Sequence, residues 1–266
     1  MRVRFRFTKL GKIRFTSQRD VARMWERALR RAQLPLAYTE GFSPRPQLSF
    51  GLALPTTCES LAEYLDVVLD DQRPETTGID VASLPGRLSG LLPDGIEVEE
   101  AAVVERGRSL QQEVTSCSWT MRLANVTRPQ LEAQVAALLA APTVLIRRER
   151  KGREEQDDLR PSVVTLVVSE GGDDRVDDSV GLVAELATQP RGVRPIELMR
   201  GLTAAAGGTP TGTTAPGGVD TGGPVLDRAC RTEQWIERDG LRQEPLERRG
   251  VPRDADRATH ALERAS

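Results

Sequence analysis

The plainest chemistry in this chain belongs to guanidinium groups and aromatic rings gathered near one end. Arg14, Arg19, Arg23, Arg27, Arg30, Arg31 and Arg45 lie within the first fifth of the sequence, with Tyr38 and Phe42 interleaved before the last of them. A guanidinium donates two parallel hydrogen bonds to a pair of anionic oxygens, which suits a phosphate, and an aromatic face stacks on a nucleobase. These nine residues form the candidate RNA-binding set. In YTEGFSPRPQLSFGLALP, residues 38–55, Gly41 allows a backbone conformation closed to other residues. Pro44 and Pro46 fix their own φ and push Ser43 and Arg45 toward extended geometry. Arg45 is thus presented with little freedom, which lowers the entropic cost of binding. The plainer alternatives are a solvated helix face for the arginines and a proline-enforced helix-to-strand crossover with Phe42 as a core plug.

Other chemistries find little support. Asp20, Glu40 and Asp66 are carboxylates near the patch, but Asp20 suits a helix cap and Glu40 balances nearby arginines, so no catalytic set is assigned. Cys58, Cys117 and Cys230 are far apart and form no CxxC pair, and the single histidine, His260, sits in a polar stretch. A zinc site, an iron-sulfur cluster and a histidine-dependent triad are therefore not expected, and no cofactor is assigned. The thiols read as inert groups in or beside strands. GGTPTG and TAPGG lack the lysine and the strand-to-helix setting of a phosphate-binding loop.

The elements that must position the basic set follow from periodicity. Val3, Phe5 and Phe7 alternate with Arg2, Arg4 and Arg6, as in a strand with one apolar face. On the other face, Tyr64, Asp66 and Asp70 are expected partners for those arginines, on what is the open side of a ferredoxin-like unit. Ser17 and Asp20 open a helix whose apolar stripe is Val21, Met24, Trp25, Ala28, Leu29 and Ala32, and Pro35 ends it. Strands are predicted at Leu48–Leu54 and Leu65–Leu69, a short helix over 80–92, and a strand in GIEVEEAAVV. The order β, α, β, β, α, β is that of a ferredoxin-like split unit. It is expected to recur through the strand SWTMRL, a helix opened by Thr127, Pro129 and Gln130, strands TVLIRR and SVVTLVV, the helix RPIELMRGL and the strand VLDRACRTEQWI.

The fold class predicted is α+β, two tandem ferredoxin-like units over 1–108 and 112–238. A flexible insertion is expected at 204–224 and a disordered tail at 239–266. The 266 residues suffice for a substantial core, with a composition that is 38% hydrophobic and 29% charged. The net charge of −2 hides an asymmetry: residues 1–46 carry twelve basic and three acidic residues, hence +9, which leaves −11 for the rest. Such segregation suits an anionic partner at one end. No run of about 18 apolar residues appears, and MRVRFRF holds no apolar signal core, so the expected location is cytoplasmic, with no membrane partner.

Over KLGKIRFTSQRDVARMWERALRRAQLPLAYTEGFSPRPQLSFGLALP the sequence resembles bacterial radical-SAM-associated proteins, a domain of unknown function found fused after a radical S-adenosylmethionine enzyme or as a separate chain. The likeness covers residues 2–70 and continues in DLRPSVVTLVV, RGVRPIELM and RACRTEQWI. Such proteins often carry histidines where this chain has Gln18 and Arg45, so a role needing either imidazole cannot operate here. Arginine preserves anion binding but not proton transfer near neutral pH. The resemblance implies a radical-SAM enzyme as partner, and a chain lacking CxxxCxxC would be its accessory rather than the catalyst. The resulting expectation is a non-catalytic accessory protein that binds tRNA or rRNA for modification. The alternatives are a module that docks the enzyme without RNA contact, and an RNA-base-modifying enzyme using Asp20 or Asp66 as its acid-base group.

Overall fold

Alternation and capping place the elements largely where the periodicity puts them. The computed structural model describes residues 1–105, 107, 109–150, 152–169, 179–207 and 223–246. It is an α+β structure with a mostly sheet core and few helices. The chain divides into two compact units, Met1–Thr115 joined by a returning segment from Arg231, and Ser116–Cys230. The sequence predicts units over 1–108 and 112–238.

The first unit runs through β1 (Arg2–Lys9), α1 (Gln18–Arg31), β2 (Leu48–Phe50), β3 (Glu59–Val68), α2 (Pro74–Thr77), α3 (Leu84–Ser89), β4 (Val98–Val103) and α4 (Leu110–Glu113). β4 pairs antiparallel with β1, β1 with β3, and β2 with the far end of β3, from Leu48 opposite Val67 to Phe50 opposite Leu65. Val3, Phe5 and Phe7 point into the core, where Trp25 of α1 meets both rings, with centroids 5.7 Å from Phe5 and 5.0 Å from Phe7. Tilted aromatic pairs of this kind contribute about 0.5–1.5 kcal/mol beyond their buried area. They also fix which side of α1 is buried. The predicted strand at Leu48–Leu54 stops at Phe50, and the predicted helix over 80–92 shortens to a 3-10 turn at Val81–Ser83 and α3.

The second unit begins within β5 (Val114–Ala124), continues through α5 (Arg128–Ala140), β6 (Leu145–Arg150), β7 (Arg153–Asp158), β8 (Val163–Ser169), β9 (Val180–Ala187) and α6 (Pro195–Ala205), and ends within β10 (Val225–Arg238), whose residues from Arg231 belong to the first unit. Its sheet order is β10-β5-β9-β8. Thr127 caps α5 in the expected box with Gln130. Two corrections apply to the predicted elements. β9 was not expected, and TVLIRR, read as a sheet strand, instead forms a separate two-stranded ribbon with β7. β9 hides because, Glu185 apart, both its faces carry apolar or small residues, which weakens the period-two signal.

The predicted disordered tail also needs correction. Residues 239–246 continue from β10 into β11 (Leu241–Gln243), paired with Ile236, Glu237 and Arg238. The remainder of that tail, His260, and most of the insertion expected at 204–224 lie outside the described residues; its first residues, Ala204 and Ala205, close α6.

Candidate nucleic-acid interface

Ser17 accepts a hydrogen bond from the Asp20 amide and starts α1, as its sequence indicates. Because Val21, Trp25, Ala28 and Leu29 are buried, the 3.6-residue period turns Arg19, Arg23, Arg27, Arg30 and Arg31 to solvent. From Arg19 to Arg31 the stripe runs about 18 Å at 1.5 Å per residue. Arg23 lies 3.3 Å from Asp20, and Arg30 lies 3.6 Å from Glu26. Both pairs are exposed, so they hold their arginines only weakly. Arg19, Arg27, Arg31 and Arg45 form no ion pair among the described residues.

Gln33, at φ 53°, ends α1, and buried Leu34 and Leu36 carry the chain into a narrow hairpin over 37–47. Its rungs are Thr39 N–H to Arg45 O and Gln47 N–H to Ala37 O, both 2.9 Å, with Tyr38 opposite Pro46. The Arg45 amide also donates to Thr39 Oγ1 at 3.1 Å, and Gln47 Nε2 donates to Tyr38 O at 2.9 Å. Gly41, at φ +118°, makes the tip turn that a side chain would strain. Phe42 is wholly exposed at that tip, and Tyr38 is 42% exposed. The core-plug alternative for Phe42 is thereby corrected: its aromatic character fitted either place, and only the rungs decide.

Arg14 stands apart from this set. It is half-buried, with Nη1 3.5 Å from buried Glu59 Oε1 and 3.3 Å from Gly11 O, and its guanidinium lies 4.6 Å over the Phe15 ring. The expected open face of β1 is covered. Arg4 makes a two-pronged bond to Asp66, Nε to Oδ1 at 2.7 Å and Nη2 to Oδ2 at 3.0 Å, with Pro245 O as a further acceptor. Arg6 donates to Tyr64 Oη, to Glu99 Oε2 at 3.0 Å, to Leu61 O and to Glu244. Burial works against its charge, yet Tyr64, Glu244 and Glu99 hold the guanidinium pKa above its ordinary value. Tyr64 and Asp66 are thus the partners expected, whereas Asp70 pairs instead with Arg73.

One cluster escaped the sequence reading. Lys9, Cys58, Glu59, Glu63 and Arg231 are all buried in the first unit. Arg231 Nη2 meets Glu63 Oε1 at 2.5 Å and Leu52 O at 2.9 Å, while Lys9 Nζ donates to Thr16 O at 2.9 Å. Burial lowers the Lys9 pKa, with Glu63 opposing, and pushes the Cys58 thiol up to about 11. The signal was present in ESLAEYLDVVL: Glu59 and Glu63 share the parity of Leu65 and Val67 and so face inward. All three cysteines are buried, as expected. Among the described residues no group of three His, Cys, Asp or Glu side chains could hold a metal ion, and no helix is long and apolar enough to cross a membrane.

A basic helix face and an arginine-bearing hairpin thus stand on an α+β scaffold. A family described as an uncharacterized protein conserved in bacteria, DUF2344, matches residues 2–195, and the chain belongs to it. No curated protein matches the chain. Among solved structures, a chain in the crystal structure of a Cbf5-Nop10-Gar1 complex is similar at 10% identity, with a TM-score of 0.45, over 86% of this chain. This chain spans 49% of that one.

Proposed function

We propose that this protein is a non-catalytic accessory protein that binds structured RNA, of the tRNA or rRNA class, and presents it to a radical-SAM modification enzyme. The observation that carries the reading is the set of six exposed guanidiniums, Arg19, Arg23, Arg27, Arg30, Arg31 and Arg45, of which four have no ion-pair partner among the described residues. Exposed arginines along a helix face suit phosphates, which they grip in bidentate pairs. The partner enzyme rests on the resemblance to radical-SAM-associated proteins, and the absence of CxxxCxxC assigns the cluster chemistry to that partner. The order β4-β1-β3-β2 in one unit and β10-β5-β9-β8 in the other supports two ferredoxin-like units, the second with the β6–β7 ribbon added. Asp66 is engaged by Arg4, and the Asp20 carboxylate accepts from the Ser17 hydroxyl and from Arg23, so geometry favours neither as an acid-base group.

Six phosphate contacts make affinity fall roughly a thousandfold between about 50 and 200 mM salt. The test is binding of purified protein to total cellular RNA at those two salt concentrations. The comparison is with a variant carrying Arg19→Ala, Arg23→Ala, Arg27→Ala and Arg45→Ala. Salt-sensitive binding that is lost in the variant is expected. An affinity indifferent to salt, or no RNA binding by the wild type, overturns the reading and makes the same face a docking surface for protein.

A further inference from the structure

Phe42 is a large apolar side chain held wholly in solvent at the tip of a braced hairpin. Resting on the RNA-binding reading above, we propose that this ring is a base-stacking probe, so that the protein recognises an unpaired nucleotide beside paired RNA rather than uninterrupted duplex. In a continuous helix both faces of every base are covered by neighbours, and a ring finds a partner only where a base is splayed out, bulged or terminal. The hairpin supplies what such a probe needs. Its rungs at Thr39–Arg45 and Ala37–Gln47, its two prolines and its Gly41 turn hold the tip without help from the ligand, so little ordering accompanies binding.

The charges lie where this arrangement requires them. Only the short stretch 32–36 separates the basic last turn of α1 from the hairpin, and Leu29, Ala32, Leu34, Leu36 and Leu69 share one core. Arg27, Arg30 and Arg31 therefore lie at the same end of the unit as the hairpin base, with Arg45 on the hairpin itself. Phosphates of a paired stretch on the arginines leave Phe42 to meet the adjoining base. The surroundings of the ring favour this over a protein pocket. Thr39, Glu40, Gly41, Ser43 and Pro44 are exposed and small, polar or charged. A protein interface needs an apolar core of several residues, whereas stacking needs one face of one ring.

The test uses fluorescence anisotropy with three RNAs of equal length: an uninterrupted stem, the same stem with a single 2-aminopurine bulge, and an unstructured strand. Wild type, Phe42→Ala, Phe42→Trp and the four-arginine variant are compared. Because Phe42 touches nothing in the core, its replacement leaves the fold intact. The bulged stem is expected to bind best and to show quenched 2-aminopurine. Phe42→Ala should weaken bulge binding by roughly 5- to 150-fold, much more than it weakens stem binding, and be rescued by Phe42→Trp. If stem and bulge bind equally with salt-sensitive, arginine-dependent affinity and Phe42→Ala changes neither, the stacking inference falls while the RNA reading stands. If no RNA binds at any salt, both fall.

Discussion

Arginines of one type meet opposite fates in this protein, and the neighbours decide which. Arg4 is locked onto Asp66 within the first unit, whereas Arg27 and Arg31 face water. Asp66→Ala is expected to cost about 3–5 kcal/mol in urea unfolding, because it strands a buried guanidinium, while Arg4→Met combined with Asp66→Leu costs much less. A second residue-scale expectation concerns pH. Between pH 9 and about 11 the unfolded chain gives up the Cys58 proton while the folded chain keeps it, so stability falls through that window. Lys9 has the opposite sign: its folded pKa is lowered, the folded chain releases its proton first, and stability rises with pH up to the unfolded value. Urea midpoints at roughly pH 8.5 and 10.5 should therefore show a fall that is shallower in Cys58→Ala and steeper in Lys9→Met. At this scale the pairing of Arg4 with Asp66 was legible, since both sat on one predicted strand face. The cluster around Lys9 was not, because β3 begins at Glu59, six residues before the apolar alternation from which it was read.

At the scale of elements, α1 shows what a sequence states most clearly. Its cap and apolar stripe follow from local chemistry and the basic face follows from the stripe, whereas the helix ends at Arg31, with Gln33 at positive φ, before the expected stop at Pro35 is reached. Ser17→Ala should cost about 1 kcal/mol, read by denaturant unfolding, with no change in which arginines face solvent. The hairpin over 37–47 was less legible. Its prolines and glycine announced a constrained turn, but the rungs that hold Phe42 outward are backbone bonds between residues that carry no pairing signal. β9 was missed for a further reason, since its buried faces weaken alternation. Gly95 marks another position governed by backbone: at φ +89°, an added Cβ would meet Leu10 O at 2.3 Å. Gly95→Ala should destabilise by roughly 1–3 kcal/mol, read by the same unfolding.

At the scale of the whole molecule, the unexpected feature is the return of the chain to its first unit after Arg231. Glu244 and Pro245 O bind Arg6 and Arg4, and Leu246 packs against Ala62, Tyr64 and Leu110. No local pattern in the first 115 residues shows that their second sheet face awaits a distant segment, Glu244 to Leu246. A chain ended after Arg238 should lose roughly 3 kcal/mol relative to one ended after Leu246, as measured by urea unfolding. The same return sets a timetable during synthesis. The segment that forms the second unit leaves the ribosome as one continuous piece, but the first unit has to wait for the codons after 230 before Arg6 finds Glu244. At about 5–20 residues per second, that delay after residue 115 is on the order of ten seconds. Through that interval the basic N-terminal segment, emerging beside ribosomal RNA, is a nascent polycation whose shape is not yet closed.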